Sequence, residues 1–311
     1  MSKGSGVKPY LAGTLFIFLV GFSFLMIKEC VPYGDTMQIM TWRFDFALIV
    51  VIIMMAARHV SLRSLFTGKK LFLLIPATFY TLCLSLQTVG MRYTTTVEAT
   101  ILFSTSPLIV YIIAALFLKE RSTILQVAAV ICSVGSLIVL EVRGNDVSFS
   151  PLGTTMLLLA AISMALYTVF ARKFTDRGTP FETTAIIVIE GFIVFNIYSV
   201  IFDINAGDIG RYIEPVTHPQ FAFAAAYLGI CCIMLSAQLM NYMLQNLQAV
   251  NASIFSNGST IVTIIAGAVI LDEPLTVGMI ICAVIIFAAI IIISAEGEKL
   301  RKEASGIEGC K

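Results

Sequence analysis

Apolar runs of about 20 residues, each long enough to cross a bilayer as a helix rising about 1.5 Å per residue, follow one another almost without interruption. They run Tyr10 to Ile27, Thr36 to Ala57, Lys70 to Met91, Val97 to Leu118, Thr123 to Val142, Leu152 to Phe170, Phe181 to Phe202, Phe221 to Leu244, Val250 to Leu271 and Leu275 to Ala295, about ten spans in 311 residues. The longest polar stretches, Arg58 to Lys69 and Asp203 to His218, are too short for a separate domain of roughly 50 residues or more. Whatever this chain does, it does within the membrane or at its rim. Composition agrees: 58% of residues are apolar and 13% charged, against roughly 25% charged in soluble domains.

The few charges exclude several classes. A net charge of +1, dispersed between apolar runs, offers no basic face for nucleic acid. The seven cysteines form no CxxC and lie mostly inside apolar runs, so neither a disulfide framework nor a zinc site is expected. Two histidines, His59 and His218, leave little for metal or triad chemistry. No Walker A, GxSxG or GxGxxG pattern occurs, which removes nucleotide-driven pumping and the commoner hydrolases and dehydrogenases; no cofactor is expected.

Orientation follows from Lys and Arg. With the N-terminus inside, fifteen of them fall in cytoplasmic segments and only Lys28, Arg92, Arg143 and Arg211 outside, which predicts both termini cytoplasmic in a plasma membrane or bacterial inner membrane. The first run lacks an A-x-A cleavage pattern and reads as a retained anchor.

The chain also repeats itself. Val97 to Thr123 aligns with Val250 to Thr276 at a constant offset of 153, matching Ala99 with Ala252, Ser106 with Ser259, Glu120 with Glu273 and Thr123 with Thr276. Each half holds about five spans, an odd number, so the second half enters the membrane inverted. The expected organisation is a first repeat over 1–147, a second over 148–298 and a short cytoplasmic tail over 299–311.

Gly90 to Ile101, then Ser106-Pro107 and Leu118-Lys-Glu120, resembles the first EamA-type repeat of the drug/metabolite transporter superfamily; Leu244 to Ile254, then Leu271-Asp-Glu273-Pro274, resembles the second. The resemblance covers about Tyr10 to Ala295 and departs where Thr260 stands in place of the Pro107 of the first half. It implies an all-α, ten-helix secondary transporter with a central cavity, commonly an exporter of amino acids or other small metabolites.

An ionisable residue near the bilayer centre costs about 2.5–3.5 kcal/mol on insertion scales, so each asks for a reason. Glu190, in the middle of the seventh run, is the candidate proton carrier; a structural pair with Arg43 is the alternative. Arg43 offers a planar fork suited to a substrate carboxylate, with Trp42 beside it to pack on an apolar portion; snorkelling to the outer interface is the alternative. Gln238, Asn241 and Gln245 share one helix face at i, i+3, i+7, and Gln238, Asn241 and Asn257 are deep enough to line a wet cavity or to bond between helices. Tyr80, Gln87 and Tyr167 complete the candidate substrate-binding set. Glu98 is read as favouring a helix N-terminus, and Glu120 and Glu273 as structural elements of the repeat.

These features predict a secondary active transporter moving a small zwitterionic or neutral metabolite by alternating access, with protons as the candidate coupling ion. A facilitator or lipophilic-amine carrier of the same fold is the alternative. A membrane-embedded enzyme would need a clustered catalytic set, whereas Asp45, Glu98 and Glu190 lie at different depths; a channel or receptor leaves the inverted repeat unexplained. No GxxxG occurs inside a span, and oligomeric state is left open.

Overall fold

The structure is a computed structural model that describes residues 7–57, 65–103, 106–117, 123–143, 150–201, 209–247, 249–272 and scattered positions between 277 and 296. Helices account for the described elements, and no strand occurs among them. The first crossing is α1 (Val7–Gly21) and α2 (Ser23–Cys30), interrupted at Phe22, followed by α3 (Thr36–Ala57) and by α4 (Leu74–Gly90), which continues a 3₁₀ turn (Gly68–Leu73). Then come α5 (Thr96–Phe103), α6 (Ser106–Phe117) and α7 (Ile124–Arg143). The second half has α8 (Pro151–Lys173), α9 (Pro180–Ser199), a short α10 (Ile209–Thr217), α11 (Pro219–Tyr227) running through a π-helical segment (Leu228–Leu235) into α12 (Ser236–Asn246), and α13 (Ala249–Ile270). The described residues between 277 and 296 are helical, at the position of the last predicted run.

Six of these helices are long and apolar enough to cross a membrane, and a shorter apolar segment, Gly258–Ile270, adds to them. Their outward faces carry Leu11, Phe18, Ile53, Ile131, Phe223 and Val269, all exposed, a surface that lipid and not water can cover. The expected all-α membrane architecture is therefore what the chain forms.

Helix starts are written locally. Ser150 accepts a hydrogen bond from the Gly153 amide (3.3 Å) with Pro151 at the first helical position of α8. Thr179 and Glu182 form a reciprocal capping box at the start of α9. Asp35 and Gln38 do the same for α3, at 2.9 Å and 2.8 Å, so the second helix of each half opens on the same device.

Packing reproduces the repeat. In the first half α1 lies on α13 and α12; in the second, α8 lies on α5 and α6 and on α4. Likewise α3 packs on the π segment as α9 packs on α4, while α3 meets α9 and α6 meets α13 between the halves. These contacts come in pairs in which the two halves exchange roles. Ends that alternate crossings would place together do meet: Lys70 pairs with Glu182 at 2.7 Å and Arg172 donates to the Leu244 carbonyl at 2.6 Å. At the opposite end Arg92 donates to Thr36 (2.7 Å) and to the Gly34 carbonyl (2.6 Å).

Close approach of α3 to its neighbours depends on two glycines. A methyl at Gly229 would lie 2.3 Å from the Arg43 carbonyl oxygen, and one at Gly191 would lie 2.2 Å from the Phe44 ring. The first obstacle is backbone and cannot rotate away.

Candidate functional site

A cavity of about 50 Å³ is lined by residues from both halves of the chain. Phe16, Val20, Ser23 and Phe24 come from the broken first crossing, Arg43 from α3, and Tyr80, Cys83 and Gln87 from α4. Across from them stand Met164 of α8, Cys232 of the π segment, Ser236 and Met240 of α12, and Ser259 and Thr260 of α13. A volume of this size holds a few waters, well short of the roughly 300–1,000 Å³ of sites that enclose a whole small ligand. The helices are therefore drawn together around the site.

Irregular backbone faces this space. The interruption at Phe22 leaves the Gly21 carbonyl to accept from Thr263 Oγ1 of α13 at 2.6 Å. In the π segment the Cys232 carbonyl accepts from Tyr80 Oη at 3.2 Å and also from Ser236 Oγ. Non-helical backbone at membrane depth is tolerated where it lines a cavity, and π-bulges recur at functional sites.

Arg43 is the largest fully buried side chain, 1% exposed. Its Nη1 lies 3.8 Å from Met40 Sδ, its Nε has no hydrogen-bond partner, and the groups around it are Tyr80 and the thiols of Cys30, Cys83 and Cys232. The capping of α3 at Asp35 and the glycine contact at its carbonyl fix the helix on both sides, so the guanidinium is carried to the cavity wall by rigid structure.

Tyr167 and Asn241 form the layer next to the cavity. Tyr167 Oη donates to Asn241 Oδ1 (3.0 Å), Asn241 Nδ2 donates to Thr184 Oγ1 (3.1 Å), and the Tyr167 ring meets Tyr80 edge-on with centroids 4.8 Å apart. Gln238, on the same helix as Asn241, is half-buried, with a buried Oε1 that lacks a partner. Gln245 is tied to the Gly178 carbonyl at 2.9 Å, near the end of the bundle.

The structure thus brings Arg43, Tyr80 and Gln87 to the cavity wall and sets Tyr167 and Asn241 directly behind it. Trp42 goes elsewhere: its Nε1 donates to the Tyr212 carbonyl (3.0 Å) and its ring lies 5.1 Å from the Tyr212 ring. Glu190 also lies off the cavity, accepting from Thr78 Oγ1 at 2.7 Å, while its Oε2 is buried without a partner; no ion pair joins it to Arg43. Asp45 is held by Asn196 (2.7 Å) and by Tyr212 (2.9 Å), outside the cavity. The side chains of Asn257 and Glu98, and residues Glu120, Glu273 and 299–311 entirely, lie outside the described residues.

Sequence reasoning missed the wall hydroxyls of Ser23, Thr100, Ser236 and Thr260. Ser and Thr are common in membrane helices, where they bond to their own backbone, and Ser236 and Thr100 do so here. The Ser106/Ser259 match in the repeat was a usable signal for Ser259.

Three likenesses bear on this architecture. YcxC of Bacillus subtilis (strain 168), named an uncharacterized transporter, is 36% identical over 281 residues, covering 88% of this chain and 89% of that protein. An uncharacterized transporter of Archaeoglobus fulgidus is 25% identical over 280 residues, covering 87% and 92%. A protein of known crystal structure superposes with a TM-score of 0.73 at 16% identity over 95% of this chain and 99% of that one, a likeness of fold. The model of the EamA-like transporter family matches residues 7–142 and again 151–295, nearly the whole chain in two copies. With the repeat, the paired packing and the central cavity in place, the chain belongs to the EamA-like transporter family.

Proposed function

We propose that this membrane transporter is a secondary carrier that moves a small metabolite, an amino acid or related compound, by alternating access, working as an exporter. The observation that carries the reading is the make-up of the cavity: residues of both halves line it, and Arg43, Tyr80 and Gln87 are among them. Two halves related by inversion have two conformations of similar energy in which they exchange roles, and each exposes the shared cavity to one side. The contracted volume fits a state between the two openings. Small residues at the α3 contacts, Gly229 against the Arg43 backbone and Gly191 against the Phe44 ring, bring the elements close enough to move as bodies.

In this reading the halves are 1–147 and 148–298, the second inverted, and both termini are cytoplasmic in a plasma or bacterial inner membrane. The substrate meets Arg43, Tyr80 and Gln87, with Tyr167, Gln238 and Asn241 supporting the wall and Trp42 holding α3 from outside; Asn257 stays a binding candidate by sequence. Glu190 carries the coupling proton: its oxygen without a partner has room for one, and Thr78 holds the other oxygen.

Uptake of a labelled panel of amino acids and small metabolites into proteoliposomes, with and without an imposed pH gradient, tests the proposal. Saturable uptake that accumulates only with the gradient is expected. Saturable uptake that merely equilibrates contradicts proton coupling, and absence of flux for every compound contradicts transport of this class.

A further inference from the structure

Arg43 poses a charge problem that the described residues do not solve. A guanidinium is protonated at any pH a protein meets, and removing such a charge from water costs several kcal/mol unless a counter-charge and hydrogen bonds compensate. Arg43 is 1% exposed, and among the described residues no carboxylate is within ion-pair distance. The groups that interact with it are a thioether, a phenol and thiols, none of them a carboxylate, and its Nε has no acceptor.

Among the described residues, the acids Asp45 of α3 and Glu190 of α9 are committed elsewhere. Asp45, two residues on, turns away to Asn196 and Tyr212, and Glu190 of the facing helix accepts from Thr78. No Asp or Glu lines the cavity among the described residues. The remaining wall is apolar or neutral: Phe16, Phe24, Phe103 and Met240 on the one hand, and the Ser and Thr hydroxyls on the other.

We infer that the ligand supplies the missing charge: the cavity takes a small organic acid of net negative charge, with a carboxylate on Arg43 and an apolar body against the aromatic and methionine wall. This rests on the transport reading above and narrows it, from amino acids and related compounds to the carboxylates among them that lack a balancing ammonium. A planar carboxylate fits the guanidinium fork in two parallel hydrogen bonds. A zwitterion also brings a carboxylate, but its ammonium then stands beside a fixed cation with no acid to meet among the described residues, and the occupied site keeps a net positive charge. A monoamine brings only repulsion.

Three compounds on one skeleton separate these cases: 4-methylpentanoate, leucine and 3-methylbutylamine. Binding to the purified protein in detergent is read by thermal stabilisation, and uptake by proteoliposomes with each compound labelled. The inference expects 4-methylpentanoate to bind at least tenfold more tightly than leucine and the amine not to bind. Arg43→Lys, which keeps the charge but loses the fork, is expected to weaken the acid about tenfold while leaving the amine excluded. Arg43→Gln should remove the preference for the acid over leucine, and if that variant fails to fold, the wild-type ranking and Arg43→Lys still decide. Leucine or the amine binding as well as the acid overturns the inference, as does absence of binding by the acid. Flux of leucine without the acid leaves the transport reading standing and overturns this one. Binding of the acid without flux supports the site and overturns transport.

Discussion

Gly229 rests against the carbonyl oxygen of Arg43, so that a methyl at this glycine would stand 2.3 Å from that oxygen. Helix α3 and the π segment consequently share a backbone contact at the depth of the cavity. Gly229→Ala forces the two apart and carries the guanidinium with them. Overpacking of this kind costs about 1–3 kcal/mol, and the expected outcome is a lower melting temperature in detergent with substrate affinity reduced by more than tenfold. A variant of unchanged stability and affinity would show that the contact is not tight.

The chain of hydrogen bonds from Tyr167 through Asn241 to Thr184 is wholly buried. Asn241→Leu leaves the buried Tyr167 phenol without its acceptor, at about 1–3 kcal/mol, while the Thr184 hydroxyl keeps its bond to the Pro180 carbonyl. Chemical or thermal denaturation should record that loss. Tyr80→Phe is milder, about 1 kcal/mol, because the Cys232 carbonyl keeps its bond from Ser236.

Asp45 and Tyr212 tie α3 to α10, and Trp42 closes the same cluster. Burial and the adjacent Asp45 carboxylate raise the Tyr212 phenol above its ordinary value near 10, so it stays protonated and donates. A raised acid contributes stability that is complete below its unfolded value and is lost as pH climbs through its folded value. Hydrogen exchange over 209–217 should therefore be flat from pH 6 to 9 after correction for intrinsic rates and should rise only above about pH 10. Tyr212→Phe should expose that helix at neutral pH, and no change in its protection would remove Asp45 from an anchoring role.

Glu190 gives a sharper test of coupling. Glu190→Gln keeps an acceptor for Thr78 and removes the titrating group. Gradient-driven accumulation should disappear while substrate exchange between equal pools continues. Accumulation unchanged from wild type would sink proton carriage by this residue.

Much of this was legible in the sequence, for a physical reason. Lipid imposes a length and a composition on each span, so Thr36 to Ala57 was read to the residue, whereas the first run was read short of Lys8–Cys30. The interruption at Phe22 was not legible, since nothing in Gly21-Phe22-Ser23 breaks a helix strongly; the Gly21 carbonyl accepts from Thr263, 242 positions away. Depth and residue type placed Arg43, Tyr80 and Gln87 as candidates, but not which face each presents. Trp42 and Arg43 are neighbours in sequence but, about 100° apart around α3, reach different surroundings, one Tyr212 and one the cavity. Span hydropathy carries no information on rotation about the helix axis. The capping boxes at Asp35 and Thr179 were readable from their D-x-x-Q and T-x-x-E spacing.

The central claim is that the cavity beside Arg43 opens in turn to each side of the membrane. Cys232 lines it and serves as a native probe once Cys30, Cys83, Cys132, Cys231, Cys282 and Cys310 are replaced by serine. A membrane-impermeant thiol reagent is applied to right-side-out and to inside-out vesicles bearing this single-cysteine protein, and labelling is followed in time. Alternating access predicts labelling from both sides, slowed by substrate in each case. Labelling from one side alone, or from neither, would contradict it.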